Sequence, residues 1–448
     1  MIASFGLWAL FAVVAGGVFP ALVQRFSVVP DEFNKEQVYI TRNLEATRSA
    51  YKLNNVSEQP FSYTPSLTQE DIDGNHKTIN NIRLWDPVPL TSALNQIQFF
   101  QLYYNFINVD IDRYTIDGEY RQVMLSAREL APENLPKEAQ TWINKKLQYT
   151  HGYGVTVSPV TTYTPEGQPE FLLRDIPPKG KLDVTQPRVY YGENTNDFVI
   201  VNTKTAEFDF PGGEGELPIR NTYDGSGGVV IGSFLRKLAY AWEFQDINIF
   251  ISNQIASNSK ILYRRLIQDR IQEVVPFLKL DPDPYLVVAD GKLWWIQDAY
   301  TTTSNYPYST PSDEGFNYIR NSVKVIVDAH HGTLRFFIVD PEDPMVLIYQ
   351  KAFPDLFEPV SEPDPFHAIP EPLRAHVRYP EGLFTIQANQ YLQYHIKDPE
   401  VFFRRDDQWA IGRELFFKET QQVRPYYVIM KLPGEMEEEF VLMLPFTP

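Results

Sequence analysis

A glycine-rich stretch has the composition of an anion-binding loop. It consists of Asp224, Gly225, Ser226, Gly227 and Gly228. An apolar-periodic run over 229–244 follows and predicts a helix with Phe234, Leu238 and Trp242 on one face. Glycines before a helix N-terminus let backbone amides converge on an anion, aided by the helix dipole. The spacing matches neither the P-loop nor the dinucleotide fingerprint, so an ordinary tight turn remains open beside the ligand-binding hypothesis.

His151 is the second candidate ligand-binding residue. It opens the string His151-Gly152-Tyr153-Gly154, directly after a helix predicted over residues 133–149. Histidine changes charge near neutral pH, so His151 is a candidate catalytic base or ligand-contacting group. The alternative is that it caps the C-terminus of the predicted helix, where the dipole favours a cation.

Carboxylate and histidine pairs give further candidates. Asp110 and Asp112 share one face of a predicted strand, where two carboxylates can do acid–base chemistry or form a solvated face. His330 and His331 suggest a metal, but adjacent strand residues point to opposite faces. The string Asp71-Ile-Asp73-Gly74 resembles a calcium loop. Because it lacks the template's glycine and its final glutamate, an Asx turn is favoured, and we predict no metal site and no cofactor.

The elements that must position these groups are hairpins and amphipathic helices. Two strand-like runs flank each of the turns at Asp117-Gly118, Asp290-Gly291, His330-His331-Gly332 and 433–439. Helices are predicted over 31–53, 90–106, 133–149, 229–244 and 258–278, the last with Arg264, Arg265 and Arg270 facing water or a partner. The predicted fold class is α+β: one N-terminal transmembrane helix, then mixed hairpin-rich sheets packed with amphipathic helices.

Proline-rich stretches at 176–187 and 354–372 suggest boundaries within the chain. We expect a transmembrane helix at residues 1–25 and a first α+β subdomain at 26–180. A second α+β subdomain is expected at 181–353. A proline-rich connector and a C-terminal α+β segment would then occupy 354–448.

Residues 2–24 contain no Asp, Glu, Lys, Arg or His. A helix of this length spans roughly 34 Å, against about 30 Å for the hydrocarbon core of a bilayer. The alternative is a cleaved signal peptide, with Ala15 and Gly17 near a cut before Val18. No Lys or Arg precedes the apolar run, which favours a retained anchor that contacts membrane lipid. Either alternative places the bulk of the chain outside the cytoplasm.

Charge and cysteine content exclude several classes of function. The chain has 40 Lys and Arg against 57 Asp and Glu, a net charge of −17, which opposes binding to the phosphates of nucleic acid. It contains no cysteine, which excludes disulfides, thiol nucleophiles and thiolate metal sites. It has neither a Gly-x-Ser-x-Gly elbow nor a His-Glu-x-x-His pair. Convergence of two or more of Asp110, Asp112, His151 and Asp298 on one pocket would favour an enzyme, and dispersal a binding protein.

Several long strings resemble one family. They are NIRLWDPVPL, RYTIDGEYRQVMLSARE, YTHGYGV, YDGSGGV, DAYTTTSNYPYS, NYIRNSVK and RPYYVIMKLPGE. The chain resembles Uncharacterised Protein Family 0182, large bacterial and archaeal membrane proteins. The resemblance implies several N-terminal spans before a large extracytoplasmic domain, no agreed activity and no catalytic residues. With one span, this chain looks like a partial member. The family often has Tyr-Asp-Gly at 330–332, which counts against a histidine-based site.

These observations predict a membrane-anchored extracytoplasmic protein, single- or multi-pass, with a binding or scaffold role in the bacterial envelope. Its expected partners are membrane lipid, through residues 2–24, and an envelope protein. The alternative is an envelope enzyme of the hydrolase type that uses carboxylates or His151.

Overall fold

The computed structural model describes residues 2–61, 66–97, 103–213, 215–432, 435 and 437–448. It contains one long N-terminal helix, shorter helices and several antiparallel sheets. The predicted mixture of helices and hairpin-rich sheets is therefore confirmed.

The chain is helical from Ile2 to Ala50, and we call this helix α1. It is long and apolar enough to cross a membrane, a property that a signal sequence shares. None of its most apolar window is buried against the described part of the chain. Its last segment, Glu32–Ala50, is amphipathic and buries Leu44 and Thr47, so the helix predicted over 31–53 is confirmed.

The later helices are short. They are α2 (Gln69–Gly74), α3 (His76–Ile79), α4 (Pro87–Ile97), α5 (Phe234–Glu243), α6 (Asn248–Ile251), α7 (Ile267–Val274), α8 (Pro344–Ala352), α9 (Glu371–Arg374), α10 (Glu381–Tyr394) and α11 (Pro399–Arg404). The calcium-loop and Asx-turn interpretations of residues 71–75 are both wrong, because Asp71 belongs to α2 and forms a capping box with Thr68.

The strands of the first half are β1 (Tyr104–Asn105), β2 (Asp110–Ile116), β3 (Glu119–Ala127), β4 (Glu129–Leu130), β5 (Gly152–Tyr153), β6 (Val155–Pro159), β7 (Leu173–Arg174), β8 (Lys179–Gly180), β9 (Arg188–Val189), β10 (Val199–Val201), β11 (Glu207–Phe210), β12 (Ile219–Asn221) and β13 (Val229–Val230). The first five-stranded sheet has the order β2-β3-β6-β7-β8. Its first hairpin turns at Asp117 and Gly118, with φ values of 55° and 83°, as a type I′ turn requires.

The remaining strands are β14 (Lys260–Leu262), β15 (Lys279–Leu280), β16 (Tyr285–Ala289), β17 (Lys292–Thr303), β18 (Tyr318–Asp328), β19 (Leu334–Ile338), β20 (Ala410–Ile411), β21 (Arg413–Phe416), β22 (Glu419–Gln422), β23 (Tyr426–Lys431), β24 (Glu438–Met443) and β25 (Phe446–Thr447). The second five-stranded sheet has the order β15-β17-β18-β19, and β16 also pairs with β17. The β16–β17, β18–β19 and β23–β24 hairpins confirm the predictions, although 433, 434 and 436 in the last turn lie outside the described residues.

Three predicted helices differ from the structure. The helix predicted over 133–149 is wrong: Pro136 interrupts it, and short turns precede a helical segment at Asn144–Gln148. The helix predicted over 258–278 forms only at α7, because β14 pairs with both β10 and β13. Of the helix predicted over 90–106, the structure describes α4 as far as Ile97; its expected Phe100 lies outside the described residues, and Tyr104 belongs to β1.

The largest buried cluster joins the two main sheets. It includes Val123 and Val157 from the first sheet, Trp295 and Val325 from the second, and Ile271 from α7. These side chains come from both sides of residue 180. The division into subdomains at 26–180, 181–353 and 354–448 stays a prediction.

Candidate functional site

The glycine-rich loop lies before a strand and not at a helix N-terminus. Its last residue, Gly228, precedes β13, and α5 begins only at Phe234, so the helix predicted to start directly after the loop is wrong. Two of the loop amides have partners within the protein. The Ser226 amide donates to His331 Nδ1 at 3.1 Å, and the Gly227 amide donates to the Tyr223 hydroxyl at 3.1 Å.

Close packing accounts for the glycines at 225 and 227. A Cβ atom on Gly225 would lie 2.2 Å from the Tyr223 ring, and one on Gly227 would lie 2.4 Å from the His331 carbonyl oxygen. Neither position has room for a larger residue. The tight-turn interpretation therefore has a direct structural basis, and a ligand-binding role for Gly225, Ser226, Gly227 and Gly228 stays a prediction.

The two adjacent histidines hold this loop in place. His330 Nε2 contacts Asp224 Oδ1 at 2.8 Å, while His331 accepts the Ser226 amide. Burial lowers the pKa of His330 more than the nearby Asp224 raises it. The two histidines thus contact different residues of the loop: His330 contacts Asp224, and His331 contacts Ser226.

His151 lies in a buried network of ionisable groups. Its Nε2 atom contacts Asp209 Oδ1 at 3.1 Å, and its Nδ1 atom contacts the Thr150 hydroxyl at 2.8 Å. Thr150 in turn donates to Glu207, and Arg188 holds Asp209 at 2.7 Å. The predicted helix-capping role is wrong, because His151 directly precedes β5 and no helix ends at it.

The surroundings of His151 favour its charged form. Burial lowers its pKa, but the hydrogen bond to Asp209 and the nearby Glu207 carboxylate outweigh burial and raise the pKa overall. Its side chain is only 2% exposed, so solvent does not reach it. The contacts of both ring nitrogens stabilise the junction of β5 and β11, and the ligand-binding role of His151 stays a prediction.

Asp110 and Asp112 are buried, so the solvated strand face predicted for them is wrong. Both lie on β2, and the segment before α10 covers this part of the strand. Asp112 Oδ2 contacts His376 Nδ1 at 2.7 Å. Asp110 Oδ2 accepts the Leu286 amide at 2.9 Å. The other oxygen, Asp110 Oδ1, has no hydrogen-bond partner among the described residues.

Asp110 lines a cavity of about 1440 Å³. Distant parts of the fold meet there, among them the start of β2, the β15–β16 loop, α10 and the C-terminal strands from β21 to β23. The segments 82–88 and 312–314 complete the lining. Of the four residues whose convergence would indicate an enzyme, Asp110 alone lines this cavity, judged over the described part of the chain. Asp298 instead contacts Lys324 and, at 2.9 Å, Asn321.

One buried arginine organises the wall of the cavity. Arg378 donates to the Ile111 carbonyl at 2.7 Å and to Asp283 Oδ2 at 3.1 Å. Its guanidinium lies 4.0 Å from the centre of the Tyr285 ring and 4.7 Å from that of Tyr427. These contacts hold Arg378 in place in the wall of the cavity.

The cavity carboxyls hold protons more tightly than usual. Burial, with repulsion from Asp283, raises the pKa of Glu381 to about 7. Burial also raises the pKa of Asp281 to about 6, against the hydrogen bond from Tyr300. The pKa of Asp110 is well above its ordinary value, because of burial and repulsion from Asp283. The wall can therefore exchange protons near neutral pH.

Sequence reasoning missed most of this cavity. Asp281 and Asp283 lie in the string Asp-Pro-Asp-Pro between two strands, which is a turn signal with two carboxylates. Arg378 and Glu381 lie in an ordinary proline-bounded segment, and nothing local distinguishes them. Their importance comes from the contacts that bring them to Asp110.

Over the described residues, fold and cavity define a mixed helix-and-sheet protein with one candidate membrane span and a large acidic cavity. The model of the family described as Uncharacterised protein family (UPF0182) matches residues 1–448. The chain belongs to this family. The predicted resemblance is thus confirmed.

Curated relatives agree with this assignment. A UPF0182 protein of Pelotomaculum thermopropionicum is 47% identical over 450 residues, which cover 100% of this chain and 48% of the relative. Another, of Methanospirillum hungatei, is 48% identical and aligns with 99% of this chain and 50% of its own length. The chain spans about half the length of these relatives. No solved structure matches it.

Proposed function

We propose that this chain is a membrane-anchored protein of the bacterial envelope whose extracytoplasmic body binds a small solute in the acidic cavity. One observation carries the binding site: Asp110 lines a cavity, and its buried Oδ1 has no partner among the described residues. A buried polar atom normally has a hydrogen-bond partner, so an unpaired carboxylate oxygen at a cavity wall suits a bound ligand.

The proposed membrane topology rests on the sequence of α1. The apolar segment at residues 2–24 would contact membrane lipid and hold the acidic body outside the cytoplasm. We also propose a protein partner in the envelope. We propose no nucleic-acid partner, because a net charge of −17 opposes binding to phosphate groups.

The binding role can be tested with a variant that blocks the cavity. Asn389 is an exposed residue of α10 that lines the cavity, so Asn389→Trp adds bulk there without disturbing the core. The exposed Glu166 provides the matched control, Glu166→Trp. Thermal-shift assays of the full chain in detergent would use spermidine, putrescine, glucose and glutamate. We expect at least one solute to stabilise the wild type and Glu166→Trp but not Asn389→Trp. Equal responses of all three proteins would refute the binding site.

An envelope hydrolase is the second candidate. The observation that favours it is the pair of cavity carboxyls with pKa values of about 7 for Glu381 and about 6 for Asp281, which suit general acid–base catalysis near neutral pH. Mass spectrometry of the recovered solute distinguishes the two functions. A binding protein returns the solute unchanged, whereas a hydrolase returns cleavage products that Glu381→Gln abolishes.

A further inference from the structure

We propose that the cavity takes an elongated organic cation with two or more amino groups, an oligoamine. This inference rests on the proposed binding function and names the chemistry of its ligand. Eight carboxyl groups line the cavity against four Lys and Arg side chains. The wall therefore carries an excess of acidic groups, which favours a positively charged ligand.

Ion pairs within the wall use only part of this acidity. Arg378 pairs with Asp283 at 3.1 Å, and Lys279 pairs with Glu314 at 2.5 Å. Arg83 lies 3.6 Å from Asp86. Within the described ranges, the cavity carboxyls without an ion-pair partner are Asp110, Asp281, Asp313, Glu381 and Glu414. More than one carboxyl thus remains to receive a cationic ligand.

Asp110 supplies an observation that is independent of the charge count. Its side chain is 3% exposed, and Oδ1 has no hydrogen-bond partner in the described part of the protein. Asp283 repels the Asp110 carboxylate, and Arg378 only partly offsets this repulsion. An ammonium group at this position would donate a hydrogen bond to Oδ1 and add the missing positive charge.

The ligand donors of the wall suit an organic amine better than a metal ion. Over the described residues, no group of three or more His, Asp or Glu side chains has an arrangement that could hold a metal. Arg378 shows that aromatic rings stabilise a nitrogen cation here, because its guanidinium lies over the ring of Tyr427 in the wall and that of Tyr285 behind it. Hydrogen-bonding carboxylates and aromatic faces are the groups that recognise ammonium ligands.

The size of the cavity indicates more than one ammonium group. Its volume of about 1440 Å³ exceeds the roughly 300–1,000 Å³ that is typical of small-molecule pockets. A single small amine would leave most of this space and most of the unpaired carboxyls without contacts. A chain of methylene groups with several amines would contact both.

Isothermal titration of the full chain in detergent tests this inference, with spermidine as the probe. We expect spermidine to bind more tightly than putrescine, and Mg²⁺, glucose and glutamate not to compete. Asp110→Asn should weaken spermidine binding about tenfold or more, because it removes a charged hydrogen bond. Glu166→Gln, at an exposed position outside the cavity, also removes one carboxyl group and should leave the affinity for spermidine unchanged. Should Asp110→Asn fail to fold, Glu381→Gln provides the same comparison.

Two results would overturn the inference. Equal affinity for spermidine of the wild type, Asp110→Asn and Glu381→Gln would show that the cation binds elsewhere on the acidic surface. Binding of glucose or glutamate that Asn389→Trp abolishes, without spermidine binding, would refute the oligoamine and leave the binding function intact. If none of these solutes binds in a way that Asn389→Trp abolishes, the inference and the proposed function both fail.

Discussion

Two sets of buried charges in this protein differ in how well they are paired. His151 lies between Asp209 and Thr150, and Arg188 completes the pairing of Asp209. At the cavity, by contrast, Asp110 keeps an oxygen without a partner among the described residues. Removing one partner from the His151 network would leave a buried charge uncompensated, whereas the unpaired Asp110 oxygen already reduces stability unless a ligand compensates it.

Glu381 makes the stability of the folded protein depend on pH. Its pKa rises from 4.5 to about 7 on folding, so the unfolded chain loses this proton at lower pH than the folded chain. Below about pH 4.5, Glu381 is protonated in both states and costs the native state no stability. The free energy of unfolding then falls as the pH rises through about 7, because the folded state holds this proton more tightly. Glu381→Gln removes this loss. We expect the variant to gain about 1–3 kcal/mol relative to the wild type between pH 4 and pH 8.

Urea unfolding at pH 4 and pH 8 measures this effect. Glu166→Gln, at an exposed position, is the control and should show the same pH dependence as the wild type. A pH dependence for Glu381→Gln that is identical to the wild type would contradict the assignment of a raised pKa to this carboxyl.

Lys324 is the buried cation that compensates Asp298. The two side chains are 1% and 2% exposed, and the lysine also donates to the Arg378 carbonyl at 2.9 Å. Lys324→Met leaves a buried carboxylate without its cation and should lower the free energy of unfolding by about 3–5 kcal/mol. The exposed Lys181–Asp117 pair provides the control: Lys181→Met should cost less than about 1 kcal/mol. Similar losses in both variants, measured by denaturant unfolding, would be inconsistent with this difference in burial.

At the scale of elements, hairpins were predictable and several helices were not. The Asp117-Gly118 and Asp290-Gly291 turns need positive φ at both positions, and this requirement is local to the sequence. Residues 260–262 lie within the run 258–278 that is predicted to be helical, but pairing with β10 and β13 makes them a strand. Such pairing joins residues far apart in the chain, so local periodicity cannot reveal it.

Helix α5 exposes its apolar face. Leu238 and Trp242 are 47% and 86% exposed, whereas Ile249 of the neighbouring α6 is fully buried. We therefore expect Leu238→Ser and Trp242→Ser to change the free energy of unfolding by less than about 0.5 kcal/mol. Ile249→Ala should cost about 2–5 kcal/mol, because it leaves a cavity in the core. Thermal or urea unfolding of the purified protein checks this, and a loss above about 2 kcal/mol in either serine variant would show that the face is packed.

At the scale of the whole molecule, the candidate site was largely beyond sequence reasoning. Asp110, Asp281 and Glu381 come from three distant segments and meet only when the two main sheets and α10 have packed. Each segment alone shows an ordinary strand, turn or helix start. Sequence strings did identify the family, because they match it along the whole chain.

The central claim is that α1 anchors an acidic, ligand-binding body outside the cytoplasm. The chain contains no cysteine, so Glu166→Cys would create a single thiol at an exposed position. A membrane-impermeant maleimide, applied to intact spheroplasts and to lysed ones, reports the side of the membrane directly. We predict equal labelling before and after lysis, in a protein that stays with the membrane after an alkaline carbonate wash. Labelling only after lysis, or release of the full-length chain into the soluble fraction, would contradict it.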